Sequence, residues 1–329
     1  MSYRSGRRRV VIWSIVLVFA LCALMAGITY GPRLHWGISN RASFTTVKQQ
    51  ELAGSVSELR IDWLLGDIVF TQSQDQAFHI LQKSEEHQDM IYFSVQEVGD
   101  AWEIFTERNV RWWDFFLGNA HLSDLEIQIP ADYQGQLSVD TQGGDIRIES
   151  LKAEHLAIDS GAGDIEFSGT VQNVQLKSTS GDIEVKSGCT ATQMSLQTSS
   201  GDIEIQQGEV GQLTVKTSSG DIEGKQLAVQ QAQLETTSGD MELYGASEQI
   251  QANSTSGEIE LDLTAQPEAL ALETTSGDIK VRLPKDSRFV LAFDTGSGDL
   301  KNDFAGQNTD QTSPLYTIQT SSGDCRIES

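Results

Sequence analysis

A glycine returns along this chain at a nearly constant interval, and few folds accommodate that. Gly144, Gly163, Gly181, Gly201, Gly220, Gly239, Gly257, Gly277, Gly298 and Gly323 are spaced 19, 18, 20, 19, 19, 18, 20, 21 and 25 residues apart. The neighbours recur with it: residues 198–204 and 217–223 both read TSSGDIE, with close variants at 236–242, 254–260 and 274–280. Self-similarity at a period of about twenty residues is the mark of a stacked array, in which each unit buries its apolar face against the next.

Within each copy apolar and polar residues alternate, the pattern of a strand with one buried face. Leu196, Val215 and Leu234 precede the Thr/Ser by two, and Met194, Leu213 and Ala232 precede it by four. Ile203, Ile222 and Met241 follow the Gly-Asp pair, and Ile205 and Leu243 come two later. Each rung thus offers two short strands. Like residues at like places predict in-register stacking, hence an all-β parallel β-solenoid of about ten 19-residue rungs over residues 136–329. Antiparallel hairpins closed at Ser-Gly are the competing arrangement, but they do not demand such column identity. Gly181, Gly201, Gly220, Gly239, Gly257 and Gly277 are read as corner residues, since glycine tolerates the positive φ of tight bends. The Asp after each would accept hydrogen bonds from amides left open there.

Residues 45–135 lack the period. Residues 59–70 resemble one isolated rung, and strand-like runs follow at 78–81, 91–95, 102–106 and 125–129, so this region reads as a β cap over the open start of the array. The last copy, ending at Ser329, is expected to leave an exposed edge.

Net charge is −24, and the first nine residues carry four Arg and no acid. Such an acidic body disfavours nucleic acid. Residues 10–30 contain no charge, and at about 1.5 Å per residue they would span a bilayer's hydrocarbon core. With the Arg cluster ahead of them, the reading is a cytoplasmic tail (1–9), a transmembrane helix (10–30), a linker (31–44) and a body outside the membrane. A cleaved signal peptide is the rival, with an apolar stretch usually shorter than this one. Cys22 lies in the apolar segment. Cys189 is assigned to a loop and Cys325 to a core column, too far apart for a disulfide.

This combination of an apolar N-terminal segment, an irregular β region closing in LEIQIP (125–130) and repeated Ser-Gly-Asp-Ile resembles the bacterial "putative adhesin" domain family, which includes LiaG-like envelope proteins. The resemblance covers roughly residues 45–329. It implies a β-solenoid, an envelope location and no known catalytic residue or cofactor. The expected function is a membrane-anchored structural or interaction protein of the cell envelope, adhesin-like and bearing on envelope stress, with another envelope protein or a wall polymer as partner. The alternatives are an accessory regulator of a membrane signalling system and a carbohydrate-active β-helix enzyme.

Two sets of residues stand out as candidate sites. The column Asp182, Asp202, Asp221 and Asp240 would place carboxylates about 4.8 Å apart, suited either to calcium or simply to capping the corners. The segment holding Trp112, Trp113, Phe115 and Phe116 would meet a membrane or partner if exposed, or cover the first rung if buried. The five His show no metal-ligand spacing, and no nucleophile or phosphate-binding motif stands out.

Overall fold

The structure is a computed structural model, describing residues 44–52, 56–85, 92–106, 123–304 and 313–329. The predicted transmembrane helix, the basic tail and the Trp112–Phe116 segment lie outside these residues. From Thr45 onward the chain forms one compact unit. No helix among the described residues is long and apolar enough to cross a membrane.

The body is a parallel β-solenoid, and the hairpin arrangement is excluded by its pairings. Ile165 lies beside Ile183, Ile183 beside Ile203, Ile203 beside Ile222 and Ile222 beside Met241, all parallel. Met194, Leu213, Ala232, Ile250 and Leu270 stack in another column. These side chains are almost fully buried. Complete burial of a branched aliphatic side chain contributes about 1.5–3 kcal/mol, so every turn adds a similar increment and the stack holds without a disulfide.

The regular turns have three strand segments, one more than the sequence pattern suggests, whereas the end turns at 58–72 and 290–302 have two. In one turn they are Cys189–Gln197, whose start and end face different parts of the core, and Ile203–Ile205. The additional segment opens with inward columns that alternate large and small: Leu151 beside Gly169, Cys189 beside Gly208, Gly208 beside Leu227, and Leu227 beside Gly245. Cys189 is therefore a buried strand residue rather than a loop residue. Small residues carry little hydrophobic signal, which is why this segment is faint in the sequence.

The order of turns in space departs from the order in the chain at both ends. The rung at Glu58–Trp63 and Ile68–Gln72 sits second, between the pair Ala101–Thr106 and Asp124–Ile129 and the first regular turn at Gln136–Thr141. Thr45–Leu52, Phe78–Ser84 and Phe93–Val98 attach to this end antiparallel. At the far end, Leu315–Ser322 and Cys325–Glu328 pair with Ala269–Ser276 and Ile279–Arg282 on one side. On their other side they pair with Val290–Ser297 and Leu300–Asn302. The last copy is thus an inner turn, and the expected exposed edge belongs to residues 290–302 instead. Leu300 is 41% exposed there, although its column mate Cys325 is 1% exposed. Among the described residues twelve turns stack, about 53 Å from first to last at the parallel strand spacing.

Candidate functional site

The Gly-Asp corners form two ladders running the length of the stack. Asp202 donates its backbone N–H to Asp182 Oδ1 at 2.8 Å, Asp221 to Asp202 at 2.8 Å and Asp240 to Asp221 at 2.8 Å. The same bond links Asp124, Asp67, Asp145 and Asp164 through the irregular start, at 2.9–3.1 Å. It resumes from Asp278 to Asp324 and on to Asp299. One oxygen of each carboxylate is thereby committed to the next turn's amide, a charge-assisted bond stronger than a neutral one. The ladder skips one step. Glu258 gives its amide to Asp240 at 2.8 Å, but its own longer side chain caps nothing on Asp278. Burial, then Glu260, Asp278 and Asp240, push the Glu258 carboxyl above its ordinary range.

The glycines are required by contact more than by dihedral angle. A Cβ placed on Gly201, Gly220, Gly239, Gly257 or Gly277 would overlap the carbonyl oxygen of the glycine one turn before, far inside the 3.0 Å that real Cβ atoms keep. Gly181 meets Gly163 in the same way. Gly181, Gly239, Gly257 and Gly277 also have φ between +149° and +156°, whereas Gly201 and Gly220 lie outside the left-handed range. Beside them runs a buried hydroxyl column. Thr198, Thr217 and Thr236 donate to the carbonyls of Gly181, Gly201 and Gly220 at 3.1, 3.2 and 3.3 Å. The serines at two equivalent places, Ser178 and Ser254, have hydroxyls without a partner among the described residues.

The acidic stripe of Glu166, Glu184, Glu204, Glu223, Glu242 and Glu260 stacks in consecutive turns. Arg147 closes one end, 2.8 Å from Glu166, and that hydrogen bond holds the Glu166 carboxyl below its usual range. Lys280 pairs with Glu260 at the other end, followed in space by Arg326 and Lys301. Lys186 and Lys225 pair with Glu184, Glu204 and Glu223 along the way. Exposed pairs of this kind contribute about 0–1 kcal/mol each, but they relieve the repulsion that stacked carboxylates would otherwise create.

Among the described residues no three His, Cys, Asp or Glu are placed to hold a metal ion. Three carboxylates, Asp62, Asp140 and Asp159, do stack in adjacent turns, and there burial and then its two neighbours raise the Asp140 carboxyl. Lys177 closes that stack, 2.9 Å from Asp159. The thiols of Cys189 and Cys325 are pushed up to about 12 by burial, which removes them as nucleophiles at neutral pH.

One surface was not singled out by the sequence pattern. On the face holding Gln193, Gln212, Gln231 and Gln249, two neighbouring outward columns run through ten turns without an Asp, Glu, Lys or Arg. One runs from Gln136 to Val290 and the other from Ser138 to Ala292. The signal lies in the alternate polar positions, which look alike until the turns are stacked and their charges compared column by column.

Residues 56–223 and 168–329 each match the Toastrack DUF4097 family profile. The chain belongs to the Toastrack family. No curated protein sequence matches it significantly. Among solved structures, this Toastrack chain is similar to a "putative adhesin" from Parabacteroides distasonis, with 12% identity, a TM-score of 0.48 and coverage of 87% of this chain and 97% of that one. It is similar also to a "putative lipid binding protein" from the same species, with 16% identity, a TM-score of 0.46 and coverage of 85% and 96%. A third, a "putative adhesin" from Bacteroides fragilis, has 13% identity, a TM-score of 0.42 and coverage of 86% and 96%.

Proposed function

We propose that this Toastrack protein is a non-enzymatic interaction protein of the cell envelope, held to the membrane by residues 10–30 with its N-terminus in the cytoplasm and its solenoid outside. The observation that carries this reading is the surface periodicity. Stacked turns in register bring like outward side chains, such as Gln193, Gln212, Gln231 and Gln249 or Glu184, Glu204, Glu223 and Glu242, above one another about every 4.8 Å, which suits an extended or repetitive partner better than a single small substrate. The even spread of its acids along the rod, without convergence on a cleft, points the same way. A stiff acidic body projecting from the membrane would engage a wall polymer or another envelope protein and so bear on envelope stress responses.

Two measurements test it. Protease added to intact cells should degrade the solenoid and spare an N-terminal tag. Crosslinking in whole cells followed by membrane purification should recover the chain with wall material or a defined envelope protein. A solenoid protected in intact cells, or turnover of a glycan abolished by one point substitution, would refute the proposal.

A further inference from the structure

We infer that the charge-free face spanning Gln193, Gln212, Gln231 and Gln249 is a binding surface for an uncharged polyhydroxyl polymer, a neutral glycan chain. This rests on the envelope-interaction reading and assigns its ligand class. The face is unusual for its setting. The chain has a net charge of −24, yet twenty stacked outward positions carry no Asp, Glu, Lys or Arg, and all are exposed or half-exposed. The strip is about 43 Å long at the strand spacing. Charge resumes at its near end with the Glu58–Arg60 ion pair, along one side with Asp159, Lys177, Lys216 and Glu235, and along the other with Glu154, Glu248 and Glu268; His155, 3.7 Å from Glu154, is the titratable group among the twenty positions.

The chemistry of the strip selects the occupant. Its amides offer both donors and acceptors, and Gln193 Nε2 donates to Gln212 Oε1 at 3.1 Å, linking two of its turns. A trough of about 550 Å³ crosses Gln212, Gln231 and Gln249 and ends at Leu315, which is 55% exposed. Sugar hydroxyls pair with amides at no cost in charge desolvation. A polyanion is opposed by the field of the whole body, and a polycation would be drawn to the stacked glutamates elsewhere. A second copy would bring two strongly acidic bodies together across an interface without aromatic or Arg anchors. A repeating ligand on a repeating surface also compensates for weak contacts at each turn, because every further turn is engaged at high effective concentration.

The test uses the full chain in detergent micelles, in native gels cast with dextran, laminarin, hydroxyethyl cellulose, soluble starch or polygalacturonate. At least one of the four neutral glycans should retard it, and polygalacturonate should not. The combined substitution Gln212→Glu, Gln231→Glu and Gln249→Glu should weaken retardation at least tenfold. Glu204→Gln with Glu223→Gln, on another face, should leave it within twofold. Gln231→Ala, which adds no charge, should give a two- to fivefold loss with an unchanged circular dichroism spectrum, separating binding from folding. No retardation by any neutral glycan overturns the inference, as does equal loss in the Glu204/Glu223 variant. A concentration-dependent dimer abolished by Gln231→Glu overturns it in favour of a second copy. Recovery with envelope material that is unaffected by the Gln variants would sink this inference alone and leave the envelope-interaction reading standing.

Discussion

Gly220→Ala isolates what the repeated glycine does. Gly220 lies outside the left-handed φ range, so a purely dihedral account predicts that alanine is tolerated, or even stabilises by restricting the unfolded chain by about 0.4–1 kcal/mol. The stacking geometry predicts the opposite. The new Cβ would overlap the Gly201 carbonyl, which must retreat by about 1 Å to restore the 3.0 Å that real Cβ atoms keep. Four hydrogen bonds cross that gap. They are Ser219 N–H to Ser199 O at 3.1 Å, Asp221 N–H to Asp202 Oδ1 at 2.8 Å, Thr217 Oγ1–H to Gly201 O at 3.2 Å and Ile203 N–H to Asp221 O at 2.9 Å. An added ångström takes each to about 4 Å, past useful hydrogen bonding. At about 1 kcal/mol net per bond, less the gain from the restricted unfolded chain, the cost is about 2–4 kcal/mol. Gly188→Ala is the control, because Gly188 has φ +84° and nothing within 4 Å of its would-be Cβ. It should lose only the left-handed penalty of about 1–2 kcal/mol. Urea unfolding of the full chain followed by far-ultraviolet circular dichroism would compare the two, and a Gly220→Ala cost smaller than that of Gly188→Ala would refute the contact argument.

Five further outcomes follow from the same geometry. Glu258→Asp should complete the carboxylate ladder onto Asp278 and raise stability by about 0.5–1.5 kcal/mol, read as a higher urea midpoint at unchanged slope. Because the Glu258 carboxyl is raised in the folded chain, its contribution is fully present below the unfolded carboxylate range and lost as pH rises through the folded value. The stabilising effect of Glu258→Gln should accordingly be seen at pH 7 and vanish on acidification, and a pH-independent difference would contradict the assignment. Ser254→Thr should place its hydroxyl on the Gly239 carbonyl, as Thr236 does on Gly220, and raise the melting temperature, whereas a lowered one would show that the site lacks room for the methyl group. At least two of the three thiols should resist a water-soluble thiol reagent at pH 8 until the chain is unfolded, and fast labelling of more than one would contradict the burial of Cys189 and Cys325. Deleting residues 315–329 should cost more than the loss of an end turn, since it removes the neighbour of both 269–282 and 290–302, and a melting curve no different from the full chain would refute the out-of-order stacking.

The period, the four main apolar columns and the parallel register were legible because each is written many times over: one Ile after Gly-Asp says little, and its recurrence at every turn says that the turns align. The third strand was not legible, since one of its inward columns is interrupted by Gly169, Gly208 and Gly245, residues that read as turn formers, in turns alternating with larger ones. The glycines face inward because the neighbouring turns supply Leu151, Leu227 and Leu263 to fill the space. The reason for the glycines was only half legible. A sequence can suggest a bend, but the carbonyl of the preceding turn belongs to a residue about nineteen places away and becomes a constraint only once the stack exists. The charge-free strip was hidden for the same reason, as Gln212 and Gln231 are each ordinary alone.

The two displaced turns show why the ends could not be read from the repeat. A parallel stack built strictly in chain order would leave its first and last strands as open edges, the positions at which β proteins risk pairing with other chains. Here Leu315–Ser322 is drawn inside, paired on both sides, and the edge passes to Val290–Ser297, a segment continuous with described chain at both of its ends. The start is handled in the same way, with Glu58–Trp63 held between Ala101–Thr106 and Gln136–Thr141. An edge strand that frays exposes its neighbour, whereas an inner one must break two ladders at once, so Leu315–Ser322 is harder to peel away than Val290–Ser297. The Asp ladder follows the spatial order rather than the sequence order, from Asp278 to Asp324 to Asp299. The Ser-Gly-Asp corner therefore encodes a geometry for stacking and leaves the order of stacking to the loops between copies.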